Sequence, residues 1–569
     1  MLKMNFGESG RFNTITDDED QDVECKVPLN SETSSTPFRK SSSFRIEQEL
    51  LRYRRVLGGN RISLPNNDLQ RSCAHKANTV LTIVLAMVFM VSGILLFEFN
   101  LFTTLMRMRM LMTPGLPPYD LWKQVSPKIY CKVYLFNVTN HVSFLNGTDK
   151  KMQVEEIGPI IYREHLEHND VVFHENNSTL SYTAKRYLEF IPELNEPGIL
   201  NRTVIVPNIV LLGMATRVAH AFTFKIPFNL LSTKDKVFRT MTIQDYFWNF
   251  TTPALDTVKS YASFLLPLDN GGALHTIYMS NNDRYNVNIG PKTSFEQFFR
   301  INRMNGRTTV PGYKPEKGDC NATLVNSTEG AIYSNMMDHN SVVVYWRKAV
   351  CRPIPLHFHN EVEIDSMNAF KFQTSDDWYD RLEDPEEDCY KGKDSDLPNG
   401  LSDASKCYGD LPVAMSSPHF FGRNGRWDEQ FIGFKPNETR HRSYAIIDPI
   451  SGISLDQRAR SQSNMVMPTL VGFREEINRF SKFVVPLVWI EYHMPKLTPE
   501  ILSLMYFGAN VLPVLAYVLP VLFVFLGILC SYFAIIRLSP NLLKNYSKYW
   551  TKEKSYYMGK AKPQNRGKL

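Results

Sequence analysis

The chain has 569 residues, of which 43% are hydrophobic and 21% charged, and its formal net charge is +6 at pH 7. The positive excess comes from residues 537–569, which hold nine basic residues and one acidic residue, whereas residues 1–76 hold twelve and eleven. The segment between them carries a net charge of −3, which argues against nucleic acid as a partner and leaves a basic tail suited to anionic membrane lipid.

The N-terminal tail and the run that follows it differ in composition. Residues 1–76 include the acidic stretch TDDEDQDVE and the low-complexity stretch SETSSTPFRKSSS, which cannot bury enough apolar surface to fold, so we expect a largely disordered tail. Residues 77–97 contain no charge and are long enough to cross a bilayer. Because this run starts far from the N-terminus, we predict a retained transmembrane helix rather than a cleaved signal peptide.

Short runs typical of strands follow. The stretch VEEIGPIIYREH at 154–165 combines β-branched and aromatic residues with a Gly-Pro break, which indicates paired strands rather than a helix. Similar runs recur as KIYCKVYLFNV, TVIVPNIVLL and SVVVYWRKAV, separated by Gly, Pro, Asn and Asp. With neither an internal repeat nor a long linker, residues 98–510 are predicted to form one β-rich ectodomain with inserted helices.

One stretch of this segment is electrically distinct. Residues 199–244 contain Asp235 as the only acidic residue against six basic ones, namely Arg202, Arg217, Lys225, Lys234, Lys236 and Arg239. Apolar residues recur at helical spacing between them, at Val210, Leu211, Met214 and Val218. The pattern predicts amphipathic helices with a cationic surface that attracts fatty carboxylates, anionic lipid or acidic proteins. A solvated charged face without a ligand is the alternative.

Nine sequons indicate that the ectodomain is glycosylated outside the cytoplasm. The predicted acceptors are Asn137, Asn146, Asn176, Asn177, Asn201, Asn249, Asn321, Asn326 and Asn437.

Five of the eight cysteines lie in the ectodomain, and four of these cluster within residues 320–407, at Cys320, Cys351, Cys389 and Cys407. This clustering is expected of disulfides made in an oxidising compartment. Their spacing fits no zinc site.

The usual signatures of enzymes are missing from the sequence. There is no G-x-S-x-G, H-E-x-x-H, C-x-x-C or Gly-rich phosphate loop. His357 and His359 share one side of a predicted strand, but without a third ligand nearby ordinary strand histidines are the preferred interpretation. We therefore predict a protein that is not an enzyme, with no catalytic residue, no metal site and no cofactor.

A second apolar run lies near the C-terminal end of the chain, before residues 537–569. Residues 501–536 contain no charge. This run is too long and too evenly apolar for a core helix, so we predict a transmembrane helix at 511–536. Because basic residues resist translocation, the basic excess beside both runs predicts that residues 1–76 and 537–569 are cytoplasmic. The ectodomain would then be anchored at both ends.

An ordered set of motifs resembles the class B scavenger receptor family. The set comprises YLFNVTN, VEEIGPIIYRE, NSTEGAIY, SSPHFF, GFKPNETRHRSY, DPISG, RSQSN and PLVWIE, in that order along the chain. Each motif alone is weak, but their order and the two-span topology match the family across residues 79–537.

The resemblance implies an α+β membrane protein with an irregular antiparallel β-barrel, an apical helical bundle and an apolar tunnel leading toward the membrane. Family members bind ligands at the apical helices, where a Lys-x-Lys precedes a Phe; here Lys234 and Lys236 precede Phe238. We expect ligand contacts at Lys234, Lys236, Lys225, Arg217 and Arg239.

The family pattern also implies Cys320–Cys389 and Cys351–Cys407 disulfides, with Cys131 free. The family commonly has six such cysteines in three bridges, and this chain has four, which leaves the subfamily open.

The function expected from the resemblance is that of a receptor and lipid conduit. Its partners would be the bilayer and long-chain fatty acids, sterols, phospholipids or lipoproteins, with acidic proteins as further ligands. A co-receptor for lipid-like odorants of the sensory neuron membrane protein type, and a lysosomal lipid transporter and cargo receptor, are the alternatives. A cell adhesion protein and an ecto-enzyme are weaker ones. The expected location is the plasma membrane, with the endosomal or lysosomal membrane as the alternative.

Overall fold

The structure is a computed structural model that describes residues 67–538 and Trp550, apart from 125–128, 263–269, 279–281, 291, 393–396, 424–426 and 428. The predictions for residues 1–66 and for most of the basic tail lie outside the described residues. The chain divides into two compact units, Phe99–Tyr517 and a second unit that joins Met1–Glu98 to Val518–Leu569.

The described helices are α1 Asn67–Glu98, α2 Leu101–Met110, α3 Pro117–Lys123, α4 His141–Leu145, α5 Ile209–Val218, α6 Phe222–Leu231, α7 Ile243–Trp248, α8 Pro253–Ala262, α9 Ala273–Tyr278, α10 Glu438–His441, α11 Glu475–Asn478, α12 Pro499–Tyr506 and α13 Leu512–Leu538. A π-helical turn, Phe507–Val511, joins α12 to α13.

The strands are β1 Ile129–Val138, β2 Met152–His174, β3 Thr179–Phe190, β4 Thr203–Pro207, β5 Phe238–Thr242, β6 Asn282–Asn288, β7 Ile301–Met304, β8 Val342–Tyr345, β9 Ile354–Ile364, β10 Met367–Gln373, β11 Ser402–Asp403, β12 Val413–Ser416, β13 Phe431–Ile432, β14 Tyr444–Ile447, β15 Ser454–Val466 and β16 Val484–Met494.

Two helical segments are long and apolar enough to cross a membrane. They are Lys76–Glu98 and Pro499–Leu538, with mean hydropathies of 2.8 and 2.6. The helices extend beyond the two apolar runs, because α1 already begins at Asn67 and the second helical segment at Pro499.

Within the smaller unit, two glycines lie where α1 meets α13. A Cβ on Gly93 would lie 3.0 Å from the backbone nitrogen of Val524, and one on Gly527 would lie 2.6 Å from Cγ of Met90. The rings of Phe89 and Phe523 also meet, with their centroids 5.7 Å apart. The two helices therefore approach closely through the absence of side chains at both glycines, as is common between membrane helices.

The larger unit contains a 14-stranded sheet. Its main path runs β7-β6-β3-β2-β1-β16-β15-β14-β10-β9-β8, and a separate hairpin pairs β4 with β5. Each neighbouring pair on the main path is antiparallel, and β13 is the parallel partner of β2.

The Gly-Pro break in VEEIGPIIYREH lies inside β2. A Cβ on Gly158 would lie 2.8 Å from the carbonyl oxygen of Val133 and 2.9 Å from the ring of Tyr134, and φ of Gly158 is 142°. The pairing of β1 with β2 shifts register between Val133 and Leu135. Glycine thus allows β2 to pass close to the irregular part of β1 without a break in the strand.

The two edge strands of the sheet contact the same short segment. The backbone N–H of Ile301 in β7 donates to the carbonyl of Ser327 over 2.8 Å, and the N–H of Thr328 donates to the carbonyl of Val344 in β8 over 2.8 Å. The backbone of residues 327–328 therefore links one edge of the sheet to the other.

A cluster of buried charges lies between the sheet strands. Arg347 donates to both carboxylate oxygens of Glu164, and Arg186 lies between Glu164 and Glu329, 3.4 and 3.0 Å from their oxygens. Burial alone would raise the pKa of Glu329, but the contacts with His168 and Arg186 outweigh it and lower that pKa to about 2. Because every carboxylate has a cationic partner, the cluster is a paired structural network rather than an unsatisfied site.

Two disulfides join Cys320 to Cys389 and Cys351 to Cys407, with Cα–Cα distances of 5.3 and 5.9 Å. This is the pairing that the family resemblance implies. Cys131 is free and fully buried, and burial raises the pKa of its thiol.

Among the residues that the structure describes, the histidines of β9 belong to no group of three or more potential metal ligands. His357 and His359 are both exposed, and Nδ1 of His359 lies 3.0 Å from Nε2 of Gln373.

Candidate ligand-binding surface

The helices predicted in the cationic stretch form an insertion between two paired strands. β4 and β5 pair so that Pro207 is opposite Phe238, and residues 208–237 leave the hairpin at this point. Asn208 holds the insertion together: its N–H donates to the carbonyl of Val237 over 2.7 Å, its side-chain amide donates to the carbonyl of Lys236 over 3.0 Å, and its Oδ1 accepts from the N–H of Leu211 over 3.1 Å. The last bond caps the N-terminus of α5.

The apolar residues that define the helical pattern of α5 face inward. Val210, Leu211 and Met214 are buried and Val218 is half-buried. They belong to the large hydrophobic core that also contains β1 and β16. Packing on the core therefore fixes α5 and positions the following helix.

Lys234 and Lys236 lie on the surface on either side of a buried carboxylate. Both lysines are exposed, whereas Asp235 between them is 2% exposed. Oδ2 of Asp235 accepts from the backbone N–H of Ala254 over 3.0 Å. Because the backbone at Asp235 is extended, successive side chains alternate, so anchoring Asp235 inward directs both lysines outward. Burial raises the pKa of Asp235.

The other three predicted ligand contacts bind within the protein. Lys225 donates to the carbonyl of Val471 over 2.9 Å and lies over the ring of Phe473. The guanidinium of Arg217 donates to the carbonyl of Gly409. Arg239 lies 3.7 Å from Oδ1 of Asp235. The structure thus brings Lys234, Lys236, Asp235 and Arg239 together and gives Lys225 and Arg217 packing roles.

Helix α6 exposes large apolar side chains. Phe222 is 77% exposed, Ile226 68% and Leu230 76%, and Phe224 is also exposed. Phe228 is the buried aromatic residue of the helix and packs edge-on against Phe473. The charge pattern of residues 199–244 does not reveal this feature. The run FTFKIPFNLL, apolar almost all round with a single cation, was the signal that could have found it.

Hydrogen bonds join α6 to the loop that precedes α11. The side chain of Asn229 donates to the carbonyl of Gly472 over 2.8 Å and accepts from the N–H of Arg474 over 3.3 Å. Together with the Lys225 bond to Val471, these contacts fix the helix through its polar atoms. The apolar side chains therefore remain on the solvent side.

We call the exposed side chains of Phe222, Phe224, Ile226, Leu230, Lys234 and Lys236 the α6 surface. It combines four exposed apolar side chains of α6, of which Phe222, Ile226 and Leu230 share one face of the helix, with two cations in the turn that follows. Such a surface favours amphiphiles whose apolar part leaves water on α6 while an anionic group meets the lysines. No sequon falls between Asn201 and Asn249.

The predicted glycosylation sites are accessible for the most part. Asn137 is half-buried, with its Oδ1 accepting from the N–H of Ile205, and the side chain of Asn177 lies outside the described residues. The other seven asparagines are exposed, namely Asn146, Asn176, Asn201, Asn249, Asn321, Asn326 and Asn437.

An apolar cavity lies between the helical insertion and the sheet. Its lining includes Ile209 and Val210 of α5 together with Met465, Leu487 and Val488 of β15, β16. Its volume is about 60 Å³, whereas small-molecule sites typically exceed roughly 300 Å³. A long acyl chain would need this cavity to widen.

The comparisons with known proteins agree with this architecture. The family model described as the CD36 family matches residues 80–538. The chain is 23% identical over 384 residues to scavenger receptor class B member 1 of Mus musculus, covering 66% of this chain and 73% of the relative. It is 25% identical over 433 residues to lysosome membrane protein 2 of Homo sapiens, covering 74% and 86%.

A third relative is sensory neuron membrane protein 1 of Apis mellifera, at 25% identity over 395 residues, covering 65% of this chain and 74% of the relative. The family match spans both apolar helices and the β-rich unit between them. The chain belongs to the CD36 family.

Proposed function

We propose that this protein is a class B scavenger receptor that binds fatty acids, other lipids or lipoproteins at the α6 surface and passes lipid to the membrane. It acts as a receptor and conduit rather than as an enzyme. The observation that carries the proposal is the exposure of four large apolar side chains on α6 beside Lys234 and Lys236.

The energetics suit reversible binding of an amphiphile. Each CH₂ that leaves water contributes about 0.8 kcal/mol, so contact with α6 can retain an acyl chain or the edge of a lipoprotein. The two exposed lysines act over about one Debye length, roughly 8 Å at physiological salt. They therefore steer anionic head groups more than they hold them.

The internal route is part of the proposal. The apolar cavity under α5 lies between the ligand-binding insertion and the sheet, where an apolar tunnel would have to begin. A closed irregular barrel around that route is supported by the backbone of residues 327–328, which bonds to both edge strands. Helices α5 and α6 would form the apical bundle above it.

The proposed topology places residues 98–510 outside the cytoplasm and both termini inside it. The exposed sequon asparagines support this placement, because glycosylation occurs on the extracytoplasmic side. The proposed location is the plasma membrane. The name of the human relative, lysosome membrane protein 2, supports the lysosomal membrane as the alternative location, with lipid export and cargo binding there.

The test is binding and uptake of a fluorescent long-chain fatty acid and of an acidic lipoprotein by cells that express the full chain. Lys234→Ala/Lys236→Ala and Phe222→Ser/Leu230→Ser should each reduce lipoprotein binding several-fold at matched surface amount. Raising the salt concentration should weaken wild-type binding and leave the residual binding of the lysine variant unchanged.

Matched control variants come from the same chain. Lys150→Ala/Lys151→Ala removes two other exposed lysines, and Val142→Ser/Leu194→Ser removes two other exposed apolar residues. Both controls should bind as the wild type does. If wild-type cells bind no more ligand than untransfected cells, lipid uptake is excluded and cargo trafficking or co-reception of lipid-like odorants becomes the leading function. If the controls lose binding as well, the α6 surface is not the site.

A further inference from the structure

Helix α2 is apolar on two opposite faces. Met106 and Met110 are buried, at 6% and 1% exposure, whereas Leu105 is 39% and Met108 52% exposed. At 100° per residue, Leu101, Leu105 and Met108 fall in one narrow stripe, and Leu111 lies beside it. A helix that faced only water here would carry polar residues on this stripe. The apolar composition of the stripe therefore indicates an apolar neighbour.

The rotation of α2 about its axis is fixed. The guanidinium of Arg109 donates to Oδ1 of Asn335 over 3.0 Å and also to the carbonyl of Ser451. Arg109 is half-buried, and burial lowers the pKa of its guanidinium to about 10. The bonds of Arg109 and the burial of Met106 and Met110 together hold the stripe on the side away from the buried face.

Helix α12, which begins the second candidate span, packs near the same loop. Met505 of α12 is buried in a cluster with Leu455, and Ile453 and Ile501 pack against that cluster. Ile453 is two residues from Ser451, the acceptor of the Arg109 bond. The loop between β14 and β15 therefore contacts both α2 and α12. Around the end of α12, the exposed large apolar side chains are Leu504, Tyr506 and Phe507.

Both sets of exposed apolar side chains lie next to or within a candidate span in the sequence. Helix α2 begins three residues after Glu98, where the first candidate span ends, and Pro499 begins the second. Three residues reach at most about 10 Å. Residues 99–112 contain no acidic residue and no sequon, and their exposed arginine is Arg107, which suits contact with lipid head groups.

We propose that the α2 stripe, formed by Leu101, Leu105, Met108 and Leu111, lies in the interface of the membrane that the chain spans. The partner is the lipid surface itself, and Tyr506 and Phe507 contribute aromatic anchors to the same interface. The ectodomain is thereby held on the bilayer through an apolar base, in addition to its two spans. This inference is independent of the ligand bound at the α6 surface.

The test measures the depth of Met108 in lipid. The full chain, with Cys25, Cys73 and Cys530 replaced by serine, receives Met108→Cys or Val142→Cys and a bimane label, and is reconstituted in phosphatidylcholine vesicles. Val142 is 57% exposed on the short helix α4 and is the matched control. Lipids with a nitroxide on the upper acyl chain should quench bimane at residue 108 at least roughly twofold more than at residue 142.

A second measurement avoids the label. Photoreactive phosphatidylcholine in vesicles with the unlabelled full chain should give lipid adducts in residues 101–111 and none in residues 141–145. Equal quenching at residues 108 and 142, or adducts absent from 101–111, would overturn the proposal. Loss of ligand binding by the α6 variants with quenching at residue 108 retained would leave it intact, so the two proposals fail separately.

Discussion

Oδ2 of Asp235 accepts a hydrogen bond from the backbone N–H of Ala254 over 3.0 Å, at the first turn of α8. The carboxylate between the two exposed lysines therefore points into the protein. There it accepts from a backbone N–H at the start of a helix, which has no partner within the helix. The relationship explains why an acidic residue occupies the centre of a cationic surface. It orients Lys234 and Lys236 instead of neutralising a ligand.

Replacing Asp235 by alanine should lower the free energy of unfolding by about 1–2 kcal/mol, the usual cost of losing a helix cap. Ligand affinity should fall as well, although both lysines remain, because the extended backbone that directs them outward loses its anchor. Asp235→Asn keeps an acceptor oxygen and is the control, with affinity near that of the wild type. Thermal unfolding and ligand titration of the full chain measure both effects. Unchanged affinity in Asp235→Ala would show that the anchor does not orient the lysines.

The Arg347–Glu164 pair should be costly to break. Arg347→Met removes the main partner of a fully buried carboxylate, and the expected loss is about 3–5 kcal/mol. Arg163→Met is the matched control, because the Arg163–Glu189 pair is partly exposed with a distance of 3.6 Å. It should cost less than about 1 kcal/mol. Urea unfolding followed by tryptophan fluorescence compares them, and equal losses would mean that Arg186 and Tyr278 suffice for Glu164.

Several features of this protein could be predicted from the sequence because they depend on local pattern. The two spans follow from uninterrupted apolar runs, and the buried face of α5 follows from the spacing of Val210, Leu211 and Met214. Which basic residues of the cationic stretch are exposed and which bind within the protein could not be predicted. Whether Arg217 faces solvent depends on the carbonyl of Gly409, which lies 192 residues away, and no local pattern encodes that contact.

The α6 surface shows a second limit of sequence reasoning. The run Phe222–Leu231 contains Pro227 inside the helix, which predicts a break. Its apolar residues alone would have suggested a core helix. Exposure is decided by the loop 471–474, which holds α6 through bonds to Lys225 and Asn229 and through Phe473 against Phe228. That loop is remote in sequence. The bonds from residues 327–328 to both edge strands likewise join segments that are separated in sequence, so no local pattern predicts them.

Acidification should destabilise the ectodomain through His441. Burial, followed by the nearby His419 and Arg440, lowers the pKa of His441 from 6.5 to about 3. The unfolded chain therefore binds more protons below pH 6.5, so the stabilisation is complete above that pH and falls by about 1.4 kcal/mol per pH unit below it. Between pH 7.4 and 5.0 the expected loss is about 2 kcal/mol. Glu156, with a pKa lowered to about 2 by bonds from His419 and Trp489 that outweigh burial, adds its loss only below pH 4.5.

The measurement is the unfolding temperature of the full chain in detergent as a function of pH. His441→Asn keeps an acceptor for the N–H of Asn437, which Nδ1 of His441 accepts over 3.0 Å, and it cannot be protonated. Its unfolding temperature should fall less between pH 7.4 and 5.0 than that of the wild type. His357→Asn, at an exposed position, should keep the wild-type pH dependence. Parallel curves for all three proteins would assign the acid sensitivity to other groups.

Both disulfides should matter for folding. The bridges close loops with sequence separations of 69 and 56 residues, for which chain entropy predicts a contribution of about 4 kcal/mol each. Cys351→Ser/Cys407→Ser should be the more damaging pair, because Cys351 is fully buried and serine would leave a hydroxyl in the core. The readout is the fraction of protein that reaches the cell surface with mature glycans. Cys131→Ala is the control for the loss of a thiol without a bridge.

The contact between α1 and α13 should depend on Gly93. A Cβ there would lie 2.8 Å from a methyl group of Val524, 3.0 Å from its backbone nitrogen and 3.2 Å from the carbonyl oxygen of Pro520. Because two of these atoms belong to the backbone, Gly93→Leu forces the helices apart instead of moving one side chain. The packing of Phe89 on Phe523 should be lost with it. A stretch without glycine at this point would remove the close approach on which interhelical contacts in lipid depend.

Gly508→Leu is the matched control, because a Cβ at Gly508 meets no atom within 4 Å. Proteolysis of the full chain in vesicles, after a protease site is inserted in the ectodomain, gives two fragments that each carry one apolar helix. Because α1 and α13 pack against each other, the wild-type and Gly508→Leu fragments should remain associated during purification in mild detergent. The Gly93→Leu fragments should separate more readily once the ectodomain is unfolded with urea. Equal retention of all three pairs would mean that Gly93 does not control helix association.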